Sequence, residues 1–146
     1  MDVTPRRMRD ASIVDRTWQR VTALNKFLAD CYGAREIVRA GKMTDEYIDT
    51  HPAYCAQMKG VEVPAGVYTH IAGIDLVRTG PSEFYVLEDN CRTPSGVSYM
   101  LEDREAMMFL FPELFAQQRV APVENYPAML RKTLDSVAPS TTKNEP

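Results

Sequence analysis

Two apolar runs on either side of a turn signal constrain this chain more than anything else in it. Val67 to Val77 and Phe84-Tyr85-Val86-Leu87 carry the β-branched and aromatic residues that suit a pleated strand. Between them, Gly80-Pro81-Ser82 supplies the backbone freedom and the fixed φ of a turn. The two runs are therefore expected to close as an antiparallel hairpin. The first run is apolar on both faces, with Val67, Ile71 and Val77 on one and Tyr68, Ile74 and Leu76 on the other. A sheet built from it is expected to be covered on both sides.

The flanking segments read as helices. Val14, Trp18, Val21, Leu24, Leu28 and Cys31 recur at three- and four-residue steps, which predicts an amphipathic helix from Ser12 to Cys31 stopped near Gly33. Shorter helices are expected over Ala34–Ala40 and from Thr44 to just before His51-Pro52. After the hairpin, Tyr99 to Phe111 and Glu124 to Val137 read as helical, with a break at Pro112. Met107, Met108, Phe109 and Phe111 are expected to pack in a core. The fold class is thus α+β, with helices flanking a small antiparallel sheet.

Composition enters by exclusion. A net charge of −3 with scattered arginines provides no basic stripe for a nucleic-acid backbone. No stretch approaches the roughly 20 apolar residues of a membrane span, and no apolar core of a signal peptide follows the first arginines. A cytoplasmic protein with neither a nucleic-acid nor a membrane partner is expected. Cys31, Cys55 and Cys91 are too widely spaced for a zinc pattern or a disulfide framework and read as free thiols.

The chemistry is concentrated where the hairpin departs from its apolar pattern, in Ile74-Asp75-Leu76-Val77-Arg78 and Glu88-Asp89-Asn90-Cys91-Arg92-Thr93-Pro94-Ser95-Gly96. With the turn centred between Pro81 and Ser82, Asp75 falls directly across from Glu88, at a Cβ separation of about 4.5–5.5 Å. Two carboxylates so placed repel each other unless one holds a proton or a cation lies between them. Asn90 shares the face of Glu88 by the strand's period of two and adds a neutral oxygen. An all-oxygen set of Asp75, Glu88 and Asn90 suits Mg²⁺, which keeps its remaining positions for water and phosphate. Asp89 falls on the opposite face and is left out of the set.

Arg92 returns to the metal face, where its guanidinium can meet a phosphate oxygen; the alternative for Arg92 and Arg78 alike is an ion pair with these acids. Pro94-Ser95-Gly96 precedes a helix whose free N–H groups could hold an anion, with helix capping as the alternative for Ser95. His51 and His70 have no evident partner and read as structural. No phosphate-loop glycine run is present.

The runs Gly66-Val67-Tyr68-Thr69-His70-Ile71-Ala72-Gly73-Ile74-Asp75-Leu76-Val77-Arg78 and Tyr85 through Tyr99 closely resemble the circularly permuted type 2 ATP-grasp proteins, relatives of the glutathionylspermidine synthase group. The likeness extends from the helix near Trp18, through Tyr32-Gly33, to Phe111-Pro112-Glu113-Leu114-Phe115 and Ser136-Val137-Ala138-Pro139. In that family, metal ligands come from paired strands as an Asp and then a Glu-x-Asn, which map onto Asp75, Glu88 and Asn90. The resemblance implies an ATP-dependent carboxylate–amine ligase, in which ATP phosphorylates a carboxylate and an amine attacks the acyl phosphate. Arg78 and Arg92 would then be the arginines that stabilise the transferring group.

The chain departs from the family in length and at Cys91, where an aliphatic or small residue is more usual. The ATP-binding lysines and adenine pocket of the family would lie beyond its last residue. The expectation is therefore an N-terminal fragment: a partial ATP-grasp domain over 1–139, a disordered tail over 140–146, and Mg²⁺ and ATP as cofactors. A separate chain would supply the rest of the fold for an unnamed carboxylate and amine. The alternative is a non-catalytic truncated module that binds or oligomerises.

Overall fold

A computed structural model describes residues 11–139 apart from Ser82 and Arg119, so the expected tail over 140–146 lies outside the described residues. Helices α1 (Ala11–Tyr32), α2 (Glu36–Arg39) and α3 (Asp45–Asp49) precede strands β1 (Gly73–Arg78) and β2 (Phe84–Asn90); α4 (Val97–Leu110), α5 (Pro112–Gln118) and α6 (Tyr126–Val137) follow. The class is α+β, with one two-stranded antiparallel sheet among the described residues. None of the described helices is long and apolar enough to cross a membrane.

The inward face of α1 runs through Ile13, Thr17, Val21, Leu24 and Leu28, all half-buried, to the buried Cys31. Val14 and Trp18, expected on that face, are exposed. At 3.6 residues per turn the stripe from Cys31 back through Leu24 meets Thr17 and Ile13, which leaves Val14 and Trp18 turned outward.

The best-packed region lies at the C-terminal end of α1. The Asp30 carboxylate accepts the backbone N–H groups of Glu36 (2.7 Å) and Ile37 (2.9 Å), which caps α2 and folds the chain back. Arg35 takes up a left-handed conformation (φ 55°), costly for a residue with a Cβ. Its guanidinium is held by Asp45 and Asp49 of α3 and donates to the Tyr54 hydroxyl at 3.1 Å, while Nε reaches the Cys31 carbonyl. Tyr32 stacks with Tyr54 and with Tyr68 at centroid distances of 5.0 and 5.7 Å. Ile48 and Thr69 are buried nearby in the chain's small core.

The first strand is shorter than the run of apolar residues predicts. Residues 67–72 are not strand, and β1 begins at Gly73, opposite Asn90, the last residue of β2. A strand needs a partner, and β2 has none to offer before Gly73. The amides of Tyr68 and Thr69 instead donate to the Asn25 side-chain carbonyl of α1, at 2.7 and 2.9 Å.

The described residues do not cover the sheet on both sides either. α1 lies over part of one face, where Ile13, Thr17, Leu76, Phe84 and Val86 line a shallow apolar cleft. Tyr85 and Leu87 remain exposed. The expected core cluster on α4 is open as well: Met107, Met108 and Phe111 are exposed and Phe109 is 85% exposed. α4 has no single apolar face, because Glu102-Asp103-Arg104-Glu105 make a full charged turn between its apolar ends, and the described elements cover only part of those ends. Arg104 anchors it, lying over the Phe115 ring of α5 at 5.5 Å and 3.5 Å from Glu124 ahead of α6.

The Arg35 bonds hold the Asp49 carboxyl below its ordinary value of 3.8. A lowered folded pKa contributes stability above the unfolded value that is lost as the pH falls through the folded one. Asp49→Asn should therefore lower the melting temperature at pH 7, and the gap to the unsubstituted chain should close below pH 3.8. Thermal melts of both proteins from pH 7 to pH 2.5 check this; a gap that stays constant with pH would contradict it.

Candidate functional site

The hairpin brings Asp75 and Glu88 together as direct cross-strand partners, flanked by Ile74 opposite Asp89 and Gly73 opposite Asn90. Nearer the turn the register shifts by one: Leu76 pairs with Val86, Val77 with Tyr85 and Arg78 with Phe84. Leu87 is left over as a β-bulge. The centre of the turn thus differs from the sequence reading, while the bulge restores Asp75 to its place beside Glu88.

The two carboxylates do not stand bare. Nδ2 of Asn90 donates to Asp75 Oδ2 and to Glu88 Oε1, at 3.2 Å each. The amide N–H groups occupy the place where a shared cation would relieve the same repulsion. Rotating that amide by half a turn would present its oxygen in place of its nitrogen and complete a set of hard oxygen donors. On this donor chemistry the residues fit Mg²⁺. All three side chains are exposed on an open face, which leaves room for water or phosphate around an ion. Among the described residues, no three His, Cys, Asp or Glu side chains gather as a metal site, and this cluster reaches three donors only by counting the Asn90 amide.

Asp89 points to the other side of the sheet, as its position in the strand requires. There it meets Arg20 of α1, whose Nη2 lies 2.6 Å from Oδ2. Arg20 was not picked out from the sequence. The available signal was an arginine three residues after Thr17 and four before Leu24, on the margin of the inward stripe of α1.

The two other arginines are placed differently from each other. Arg78 is turned to the hairpin tip, where it donates to the Gly80 and Pro81 carbonyls at 2.9 and 2.8 Å and lies over the Phe84 ring. It is not brought together with the carboxylates. Arg92, just past β2, is exposed and makes no ion pair with a described residue.

Gly96, with φ 93°, is the N-cap of α4, and neither it nor Ser95 supplies a side-chain cap. The turn before it is drawn against β1. A Cβ on Gly73 would lie 3.1 Å from Cβ of Pro94 and 3.5 Å from that of Asn90. Glycine at 73 therefore permits the start of α4 and the end of the cluster to sit side by side. The signal for this was the glycine itself, in an otherwise apolar strand. The cysteines are free thiols, and burial first, then Asp89, pushes the Cys91 thiol up, away from the thiolate a nucleophile needs.

Residues 11–146 match the family described as a circularly permuted ATP-grasp. The chain belongs to that family. An uncharacterised protein of Synechocystis is 41% identical to this ATP-grasp chain over 142 residues, covering 95% of the chain and 30% of the relative. An uncharacterised Mycobacterium tuberculosis protein is 43% identical over 128 residues, covering 88% and 23%. A Frankia casuarinae protein provisionally named glutamate–cysteine ligase 2-2 is 36% identical over 128 residues, covering 88% and 15%. This ATP-grasp chain thus spans less than a third of the length of these curated relatives.

Like charges facing each other across a pair of strands cost up to about 1 kcal/mol. Asp75→Asn should raise the melting temperature of the metal-free protein, by an amount equivalent to roughly 0.2–1 kcal/mol. An unchanged or lower value in chelator-treated protein would mean that the Asn90 hydrogen bonds outweigh the repulsion.

Proposed function

We propose that this chain is the metal-binding portion of an ATP-dependent carboxylate–amine ligase that works in the cytoplasm, with residues up to 139 forming part of an ATP-grasp domain. The observation that carries the reading is the placement of Asp75 across from Glu88 with the Asn90 amide bonded to both. Asp75, Glu88 and Asn90 hold the Mg²⁺ of Mg–ATP. The ion, when bound, neutralises charge developing on the phosphoryl group as it passes to a carboxylate substrate. ADP leaves as the acyl phosphate forms, and an amine then attacks its acyl carbon, forming the amide bond and releasing phosphate and a proton.

Arg92, exposed just past the same strand end and without an ion pair to a described residue, contacts a phosphate oxygen, next to the N–H groups at the start of α4 beyond Ser95 and Gly96. Arg78 reaches a phosphate only by leaving the turn carbonyls that now hold it, so its part in the chemistry is the weaker. The apolar surfaces of α4 and β2 receive the complementary part of the fold, with the remaining nucleotide contacts, from additional polypeptide. Without that part the chain is inactive.

A second reading has a specific observation in its favour. The exposure of Phe109, Tyr99, Leu110 and Leu87 together suits a module that only binds or oligomerises. Titration calorimetry with ATP, with and without Mg²⁺, separates the two. The ligase reading expects saturable, Mg²⁺-dependent binding weakened more than about 10-fold in Glu88→Gln, since even partners one step removed from a metal are worth 10–100-fold. Binding that is indifferent to Mg²⁺ and to Glu88→Gln would overturn it, and no binding alongside self-association in light scattering would favour the module.

A further inference from the structure

β2 presents three consecutive polar side chains, and the cluster uses only the first and third. The middle one, Asp89, is on the far side of the sheet with a carboxylate only 14% exposed. Arg20 Nε donates to both of its oxygens, at 2.6 and 2.8 Å. Among the described residues this is the one ion pair joining α1 to the hairpin.

The register of β2 makes that pair consequential. Between Leu76 and the turn, β1 and β2 follow one alignment; beyond the Leu87 bulge they follow another, shifted by one residue. Were the turn-side alignment to continue without the bulge, Leu87 would face Asp75. Asp89 would then move to the metal face, and Glu88 and Asn90 would leave it, because a one-residue slip inverts every side chain. The bulge has little packing to hold it, since Leu87 is 69% exposed. A forked contact from a 22-residue helix to Asp89 is the interaction placed to hold it.

We infer that Arg20 is a positioning residue for the metal site: by fixing Asp89 against α1 it keeps the bulge in place and Glu88 and Asn90 turned to Asp75. The inference rests on the metal reading given above. Arg20 touches no ligand itself and acts through Asp89 alone.

The sign of the effect separates positioning from simple charge. Arg20→Gln leaves the Asp89 carboxylate uncompensated beside the site, and extra negative charge alone would tighten cation binding. Loss of position would loosen it. Mn²⁺ binding to the full chain, read from the free-ion signal in electron paramagnetic resonance, is the probe, with melting temperatures measured in parallel.

The expected result is binding roughly 10-fold weaker in Arg20→Gln, the effect of removing a partner that orients a metal ligand. Arg20→Lys, which keeps the charge but not the fork, should recover part of it, and the exchange Arg20→Asp with Asp89→Arg should recover more. Equal or tighter Mn²⁺ binding in Arg20→Gln, whatever its melting temperature, would overturn the inference while leaving the metal site standing. Failure of the unsubstituted chain to bind Mn²⁺ would overturn the metal reading and this inference with it.

Discussion

Two carboxylates set side by side across a hairpin are a constraint that everything around them must satisfy. Asp75 and Glu88 are there because β1 and β2 pair antiparallel and a bulge at Leu87 adjusts the register to bring them level. Asn90 makes the arrangement tolerable by donating to both. Gly73 gives Asn90 and Pro94 room to approach. The alternation of the strand sends Asp89 the other way, to Arg20. Register, bulge, amide and glycine thus act together on one pair of carboxylates.

The hairpin alone would not hold this geometry, since an isolated two-stranded ribbon is marginal in water. Its support comes from α1, at two points on one helix: Asn25 takes the amides of Tyr68 and Thr69 just before β1, and Arg20 takes Asp89 at the end of β2. α1 is anchored in turn by the Arg35 network and the tyrosine stack at its C-terminal end. Rigidity therefore runs from the helical half of the chain into the strands. The region beyond β2 is built differently, with helices that have no buried residue among those described. Much of the apolar surface of this half is left uncovered by the described residues, Phe109 and Tyr99 above all.

Much of this was legible in the residues. The hairpin, the α+β class and the turn of Asp89 to the face opposite Glu88 follow from alternation and a turn signal, and the family from two long motifs; the facing of Asp75 and Glu88 came out as expected only because the bulge offsets a shifted turn. What failed did so for identifiable reasons. The strand over 67–72 was lost because a strand cannot outrun its partner, and those amides found Asn25 instead. Val14 and Trp18 were put on the wrong face of α1 because periodicity tolerates a shift of one residue. Met107, Met108 and Phe109 were assigned to a core because apolar residues cannot reveal whether the surface that would cover them is present. Arg20 was missed because its place on the margin of the α1 stripe does not name a partner 69 positions away.

The central claim is that Asp75, Glu88 and Asn90 are a divalent-metal site and not a hydrogen-bonded ornament of the hairpin. The most direct measurement is anomalous diffraction from crystals of the chain soaked in Mn²⁺. The account predicts a peak between the Asp75 and Glu88 carboxylates, with the Asn90 amide turned to present Oδ1. A peak elsewhere, or none while Nδ2 still bridges the two carboxylates, would contradict it.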